Sequence, residues 1–431
     1  MLGLFVAILG LGYGVDQSDF ALIAPLFALG FGAYTWINLR RPTTDLRWWI
    51  GIAILLRLAL IPSFPALSDD IYRFIWDGRL WLAGRNPFDH LPTYYLEAGQ
   101  QLPTLTEALF SELNSPEYYT IYPPVAQFTF VVASWLAPES WWGAAVVMKV
   151  FVVAAEIGSI FLLLRLLQHW QLDQRLVLWY ALNPLIIVEV CGNLHFEGVM
   201  IFFLLLGWWW LTQERWWASA VAMALAVASK LLPLMFFPFL IRRLGWRRAL
   251  GYFAVVGTVL LATWIPLVSS AFLENFASSV NLYFQRFEFN GSLYYALRWL
   301  GYQYSGHNLI RLIGPILALI VLVTISLRAL LDRRNDWVSL ANLWLFAIGL
   351  YLLCATTIHP WYTALPVVLC LFTPYRWPVL WSGLITLTYV NYIYAEYQEN
   401  LWIVLLEYIL VGTFLVWEWS KHRLRPAPSD V

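Results

Sequence analysis

Charge is scarce in this chain: of its 431 residues only 12% are Asp, Glu, Lys or Arg, and 26 cations balance 26 acids. Soluble proteins carry about a quarter charged residues, so a water-soluble fold is excluded. A formal net charge of zero gives no pull towards nucleic acid or a strongly acidic partner, and any anion site must be built from local cations. Cysteine is nearly absent. Cys191, Cys354 and Cys370 lie in or at the ends of apolar runs with no CxxC pair, which excludes a disulfide framework. The chain also lacks the strict polar and apolar alternation of an outer-membrane barrel. It has no HExxH-type metal spacing and no internal repeat with paired broken helices of the kind secondary transporters show. No soluble domain, long linker or low-complexity tract interrupts it. The opening segment MLGLFVAILGLG has neither a basic n-region nor an A-x-A-like cleavage site, so a retained first span is expected.

What fills the chain is apolar: 61% hydrophobic residues, with 26 tryptophans, and a mean hydropathy of +0.66. Apolar runs of about 15 to 25 residues recur, each matching what a helix needs to cross about 30 Å of hydrocarbon. Clear runs are Phe20 to Leu39, Leu46 to Ile61, Trp142 to Leu167, Leu176 to Cys191, Phe196 to Leu211, Leu250 to Val268, Leu309 to Leu330, Val338 to Cys354, Val379 to Ile393 and Leu401 to Trp417. Shorter or broken ones are Leu2 to Gly12, Val125 to Leu136, Trp217 to Ile241 and Tyr362 to Phe372. The expected fold is an all-α polytopic membrane protein, a single integral domain over residues 1–431 with about 12 or 13 transmembrane helices.

Cations cluster at Arg40/Arg41/Arg47, Arg242/Arg243/Arg247/Arg248, Arg328/Arg333/Arg334 and Lys421/Arg423/Arg425, which the positive-inside rule assigns to the cytoplasm. The outer segments are then Ser63 to Thr120, Gly192 to Glu197, Ser269 to His307, Thr357 to Trp361 and Ala395 to Asn400. The chain divides into N-terminal spans (1–62), an outer catalytic loop (63–120), a core module (121–268), a second outer loop (269–307) and C-terminal spans (308–431). One step conflicts. Counting Val125 to Leu136 as a crossing places the basic stretch Arg165 to Arg175 outside, so either that segment is re-entrant or the rule fails there.

The longest outer segment opens IPSFPALSDDIYRFIWDGRLWLAGRNPFDHLP, with Asp69 and Asp70 at the end of a span. Ile71, Phe74, Ile75 and Leu82 recur at helical spacing, which predicts an amphipathic helix lying on the membrane interface; Gly84, Asn86 and Pro87 end it. Paired acids beside a lipid surface suit a reaction in which a hydroxyl loses its proton while a lipid-borne group departs. Ser68, Asp69 and Asp70 also stand where a helix N-terminus wants caps, although a cap needs one acid. Arg73 and Arg79, with Arg85, offer guanidinium groups for a phosphate, for lipid headgroups or for the neighbouring acids.

Polar residues recur in four more places. Tyr122, Pro123 and Pro124 stand at a helix mouth, where proline is ordinary. Glu189, Asn193, His195 and Glu197 lie together between two spans, and polar groups at membrane depth tend to face a cavity or pathway. Lys230 interrupts AVASKLLPLMFFP, where its ammonium either meets an anion or snorkels to the interface. His359, Trp361 and Tyr362 in TTIHPWYTALP suit stacking on a sugar or contact with phosphate, or an interfacial aromatic belt.

Taken in order, SDDIYRFIWDGRLWLAGRNPF, the YPP entry, NP followed by GN, and the interrupted KLLP helix resemble the GT-C superfamily of polytopic glycosyltransferases, which use sugars carried on polyprenyl phosphate. The run from Asp69 to Phe88 is similar to bacterial mannosyltransferases and, more distantly, to the first mannosyltransferase of GPI-anchor synthesis. The likeness covers the acid loop through about Pro238. It implies a GT-C-type bundle and an inverting, metal-independent transfer of a hexose, with mannose favoured, from a polyprenyl-phosphate donor to a hydroxyl acceptor on a glycan, glycolipid or protein. The resemblance makes Asp69 or Asp70 the base. The family motif is often DxD or a single Asp before an aromatic, whereas adjacent acids stand here with Tyr72 two residues on, which leaves the choice of base open. Donor phosphate and sugar contacts are expected among Tyr72, Arg73, Asp77, Arg79, Tyr122, Asn193, His195, Glu197, Lys230, His359, Trp361 and Tyr362. No cofactor and no metal ligands are expected. Compact loops favour a bacterial inner membrane with the site facing outward. A transporter or flippase for lipid-linked sugars would share the span count, but would place its acids within spans near the midplane. A glycan polymerase, an O-acyltransferase and a membrane protein without chemistry are further readings with less behind them.

Overall fold

The computed structural model describes residues 1–40, 45–285, 287–394 and 397–423. Arg41, Arg425 and Ala395, assigned above to cytoplasmic clusters and an outer turn, lie outside the described residues. Among those residues the helices are α1 (Leu2–Tyr13), α2 (Phe20–Arg40), α3 (Leu46–Ala59), α4 (Asp70–Leu82), α5 (Glu107–Ser111), α6 (Pro124–Leu136), α7 (Trp141–His169), α8 (Leu178–Ala181), α9 (Glu197–Thr212) and α10 (Trp216–Ser229). They continue as α11 (Pro238–Leu244), α12 (Trp246–Trp264), α13 (Phe272–Gln285), α14 (Leu293–Ser305), α15 (Ile310–Leu331), α16 (Leu340–Cys354), α17 (Ala364–Cys370), α18 (Trp377–Leu384) and α19 (Leu401–Arg423). The only strand-like pairing among the described residues is an isolated bridge between Phe289 and Thr357.

The protein is an all-α polytopic membrane protein. Five helices are long and apolar enough to cross a bilayer: α2, α7, α12 with its extension to Leu267, α15 and α19. The ends of α2, α7 and α15 fall within a residue or two of the hydropathy boundaries, whereas α12 begins at Trp246 rather than Leu250 and α19 continues to Arg423 rather than Trp417. Other expected spans are shorter, with α1, α9, α10 and α16 between 12 and 16 residues. At 1.5 Å per residue these cover about 18 to 24 Å, less than the hydrocarbon thickness. Three of them end at polar turns of the candidate site: α9 begins at Glu197, α10 stops before Lys230, and α16 stops two residues before Thr356.

The run Leu176 to Cys191 departs furthest from expectation. A 3-10 turn and α8 lead to a bend of 60°, and a π-helical stretch, Ile186–Gly192, follows. The cause is local. Pro184 has no N–H for the helix ladder, and the Asn183 side chain caps the new turn by accepting from the N–H groups of Leu185 and Ile186 at 3.1 and 3.3 Å.

The conflict at Val125 to Leu136 resolves in favour of a re-entrant segment. The 13-residue α6 meets the loop that follows α3 at both ends. Thr120, just before it, reaches Asp77 of α4 at 2.5 Å. Beyond it, Arg79 donates to the Pro138 carbonyl and Trp142 to the Pro62 carbonyl, both at 2.8 Å. A segment that begins and ends against one loop does not cross, and Arg165 to Arg175 then satisfies the positive-inside rule.

The helix predicted on the interface is α4, but its polar side does not face headgroups. Arg73, Asp77 and Arg79 are all buried, covered by the rest of the outer loop. Arg73 pairs with Asp77 at 2.9 Å and donates to the carbonyls of Ser115 and Tyr118; Arg79 donates to the carbonyls of Thr104 and Pro138. Gln127 of α6 bonds Asp77 at 2.9 Å and receives the Trp81 indole N–H. Gly78 lets α6 approach, since a Cβ there would collide with the Phe130 carbonyl oxygen.

Candidate active site

Three side chains tie the acid loop to the bundle. Lys149 of α7, fully buried, donates to the carbonyls of Leu60 and Ser63 and to the Ser63 hydroxyl at 2.5 to 3.0 Å. Gln17 reaches the Leu67 carbonyl at 3.1 Å. Asn193 accepts from the backbone N–H groups of Ala66 and Leu67 at 3.1 and 3.0 Å. Asn193 therefore serves as an anchor that carries the acid pair to the turn after the π-helical stretch, and its Oδ1 is engaged by the backbone.

That turn is itself constrained. Leu194 adopts a left-handed φ of 64°, a conformation that costs a branched residue about 1 to 3 kcal/mol and persists only where surroundings enforce it. The enforcement comes from Phe196, whose ring packs edge-on against Phe74 of α4 and Phe130 of α6 at 5.7 and 5.5 Å. On either side of Phe196, His195 and Glu197 are turned into the interior, each at most 3% exposed.

Asp70 opens α4 beside this turn. Its carboxylate accepts from Asn114 at 3.2 Å, and the Tyr122 hydroxyl faces it. Burial raises its pKa above the usual carboxylate value, with the Asn114 bond and the Lys230 charge opposing and Glu197 and Asp69 adding to the rise. Asp69 is exposed, and it too titrates higher than usual, through partial burial and the nearby Glu112 carboxylate. Lys230, just past the end of α10, forms an ion pair with Glu197 and lies 4.9 Å over the Tyr362 ring.

The C-terminal third supplies the opposite wall. His195 stacks on Trp361 with centroids 3.5 Å apart, and Trp361 stacks on His359 at 4.6 Å and 3°. Glu189 lies 3.2 Å from His195 Nε2 and receives the Tyr389 hydroxyl. Several buried polar atoms here have no hydrogen-bond partner, among them Glu197 Oε2, Asn193 Nδ2 and His359 Nδ1. Unpartnered buried polar atoms also occur elsewhere, at Trp49, Trp76, Ser134 and Glu407 among others; these three are distinguished by lying together beside Asp70 and Lys230.

Thus Asp70, Tyr122, His195, Glu197, Lys230, His359, Trp361 and Tyr362 come together from five separate stretches of sequence. Arg73, Asp77 and Arg79 do not join them, because they hold α4 in place. Tyr72 turns away, packing against Phe64 and Trp141 at 6.0 and 5.5 Å, and Arg85 is exposed. Sequence reasoning missed Tyr389 and Asn114, which carry no local signal. It also missed a buried polar cluster around Asn290, Glu399 and Glu407. Glu407 had a signal, a lone acid inside the apolar run WIVLLEYILVG. Among the described residues no group of three or more His, Cys, Asp or Glu side chains is arranged to hold a metal ion.

Comparison with known families gives one match: the model of the MptA/B family, described as alpha-(1->6)-mannopyranosyltransferase, N-terminal domain, covers residues 8–245, more than half of the 431. No curated protein matches the chain.

Proposed function

This chain belongs to the MptA/B family of alpha-(1->6)-mannopyranosyltransferases and is a membrane mannosyltransferase, and from that premise we propose an inverting transfer of mannose from a polyprenyl-phosphate donor to a hydroxyl acceptor on the non-cytoplasmic face. The observation that carries this reading is the convergence of one half-buried carboxylate, Asp70, with a lysine, two histidines and a tryptophan at the outer ends of short helices.

Asp70 is the better base of the pair. Asp69 is exposed beside Glu112, whereas Asp70 is half-buried within the influence of Lys230, Tyr122 and Glu197. In the proposed reaction Asp70 takes the acceptor hydroxyl proton as that oxygen attacks the anomeric carbon. The bond from that carbon to the phosphate oxygen breaks, and its electron pair leaves with the polyprenyl phosphate. An alpha product formed with inversion requires a beta-configured donor. Lys230 neutralises the departing phosphate, the kind of pre-arranged charge that is worth most in a site closed to water, and His359, whose imidazole is kept neutral by burial and by the Lys230 charge, donates a hydrogen bond to it. Trp361 offers its face to the sugar. With Lys230 supplying the positive charge, the reaction proceeds without a metal ion. The acceptor remains a hydroxyl on a glycan, a glycolipid or a protein, and the outward-facing site lies in a bacterial inner membrane.

The test is transfer of label from radiolabelled polyprenyl-phosphate mannose by the protein in lipid nanodiscs with EDTA present, comparing wild type with Asp70→Asn and Asp69→Asn. Transfer by wild type and by Asp69→Asn, with loss in a folded Asp70→Asn, supports the reading. No transfer by wild type, or an active Asp70→Asn, defeats it and favours transport of the lipid-linked sugar instead.

A further inference from the structure

The family match ends at residue 245, yet His359 and Trp361 lie beyond it. What holds these rings in place is a clamp on the second outer loop. Phe289 forms a short parallel bridge with Thr357: its N–H donates to the Thr356 carbonyl at 3.1 Å, and its carbonyl accepts from the Ile358 N–H at 2.8 Å. The Thr357 hydroxyl adds a bond to the Phe287 carbonyl at 2.9 Å. The Phe289 ring then lies 4.7 Å from His359, on a ring that also stacks on Trp361.

The next residue fixes that arrangement. Asn290 is fully buried and left-handed, with φ of 51°, a conformation that Asn tolerates better than most residues. Its backbone N–H donates to the Glu399 carboxylate, its side-chain amide donates to Glu407 at 3.0 Å, and its carbonyl accepts from the Tyr408 hydroxyl at 2.7 Å. Glu407 is itself fully buried in α19 and receives the Trp381 indole N–H of α18 at 2.6 Å. A carboxyl at that depth is costly to keep, and simple helix packing has no use for it. Its donors are the loop residue Asn290 and the ring of Trp381, so its effect is to tie the loop to the last two helices.

We infer that Asn290 is a positioning residue for the reaction: held by Glu399, Glu407 and Tyr408, it seats Phe289 against the His359 ring and thereby fixes the imidazole that meets the donor phosphate. The inference rests on the donor role given to His359 above. Asn290 touches no substrate; it acts through Phe289 and His359.

The experiment is a double-mutant cycle in nanodiscs, measuring KM separately for the lipid-linked donor and for the acceptor. Asn290→Ala is expected to raise the donor KM about tenfold and leave the acceptor KM at the wild-type value, and adding it to His359→Ala is expected to cause no further rise. A clamp that only supports the fold would lower Tm and leave the donor KM alone. That result, or penalties that multiply in the double variant, overturns the proposal. Where Asn290→Ala fails to fold, Tyr408→Phe removes a single hydroxyl from the clamp and is judged by the same two readings. If His359→Ala itself has the wild-type donor KM, the donor role of His359 falls and the clamp with it; an effect at His359 with a silent Asn290 overturns the clamp alone.

Discussion

Two sets of charges lie inside this bundle, and they are built differently. In the first, Arg57 of α3 meets Glu156 of α7 at 3.1 Å with both side chains fully buried, donates to the carbonyls of Ala53 and Ala181, and shares Glu156 with the Tyr180 hydroxyl. Arg73 with Asp77, and Lys149 with its three oxygen partners, follow the same pattern. In the second set, around Asp70, Glu197, Lys230 and His359, pairing is incomplete: buried atoms stand without partners, and the Lys230 side chain is 30% exposed. An ionisable residue at membrane depth is a functional candidate by default. The comparison refines that default: the fully paired charges hold helices together, and the incompletely paired charges gather around Asp70.

Breaking the comparison at its strongest point means removing a charge from each set. Asp70→Asn is expected to lower kcat by about 10²- to 10⁴-fold, the range for loss of a general base, with Tm close to wild type. Arg57→Ala should do the reverse. It strands Glu156 and is expected to cost about 3 to 5 kcal/mol of stability, read as lost monodisperse protein in detergent, while turnover per folded molecule is retained. An Arg57→Met, Glu156→Leu double variant should recover most of that loss, since an apolar pair can replace a buried ion pair. Lys230→Ala is expected to slow transfer about 10²-fold or more through the phosphate, with acceptor KM unchanged.

The smallest effect sharpens the comparison through pH. Because the Asp70 pKa is raised above 3.8, its base form is lost as pH falls through that higher value, and the acid limb of kcat/KM should lie above the ordinary carboxylate range. Asn114→Ala removes a bond that holds the pKa down, so the limb should move to still higher pH. A limb that moves the other way counts against Asp70 as the base.

How much of this could be read in the sequence follows from the same physics. Helix ends such as Phe20–Arg40 and Trp141–His169 were legible because hydropathy over about 20 residues decides them. The acid pair, the turn at residues 193–197, Lys230 and His359 were legible because each breaks an apolar run. What the sequence could not show was which polar residues the fold would use up. Arg73 and Arg79 looked like phosphate ligands until loop carbonyls 25 to 59 residues away closed over them. The partnership of Tyr389 with Glu189 spans 200 residues, and no local pattern announces it. The bend after α8 was not legible, since Leu176 to Cys191 passes for one continuous apolar run, and a π-helical stretch is a product of packing, not of propensity.

The Arg57 to Glu156 pair also has a consequence in time. The two residues are 99 apart in sequence, which at about 5 to 20 residues per second is roughly 5 to 20 s of synthesis. During that interval α3 carries an unpartnered guanidinium, so it cannot settle in lipid alone and must wait at the insertion machinery or the bilayer surface until α7 emerges. The early part of this protein is therefore assembled out of written order, and a ribosome paused before Glu156 should leave α3 accessible to aqueous labelling reagents.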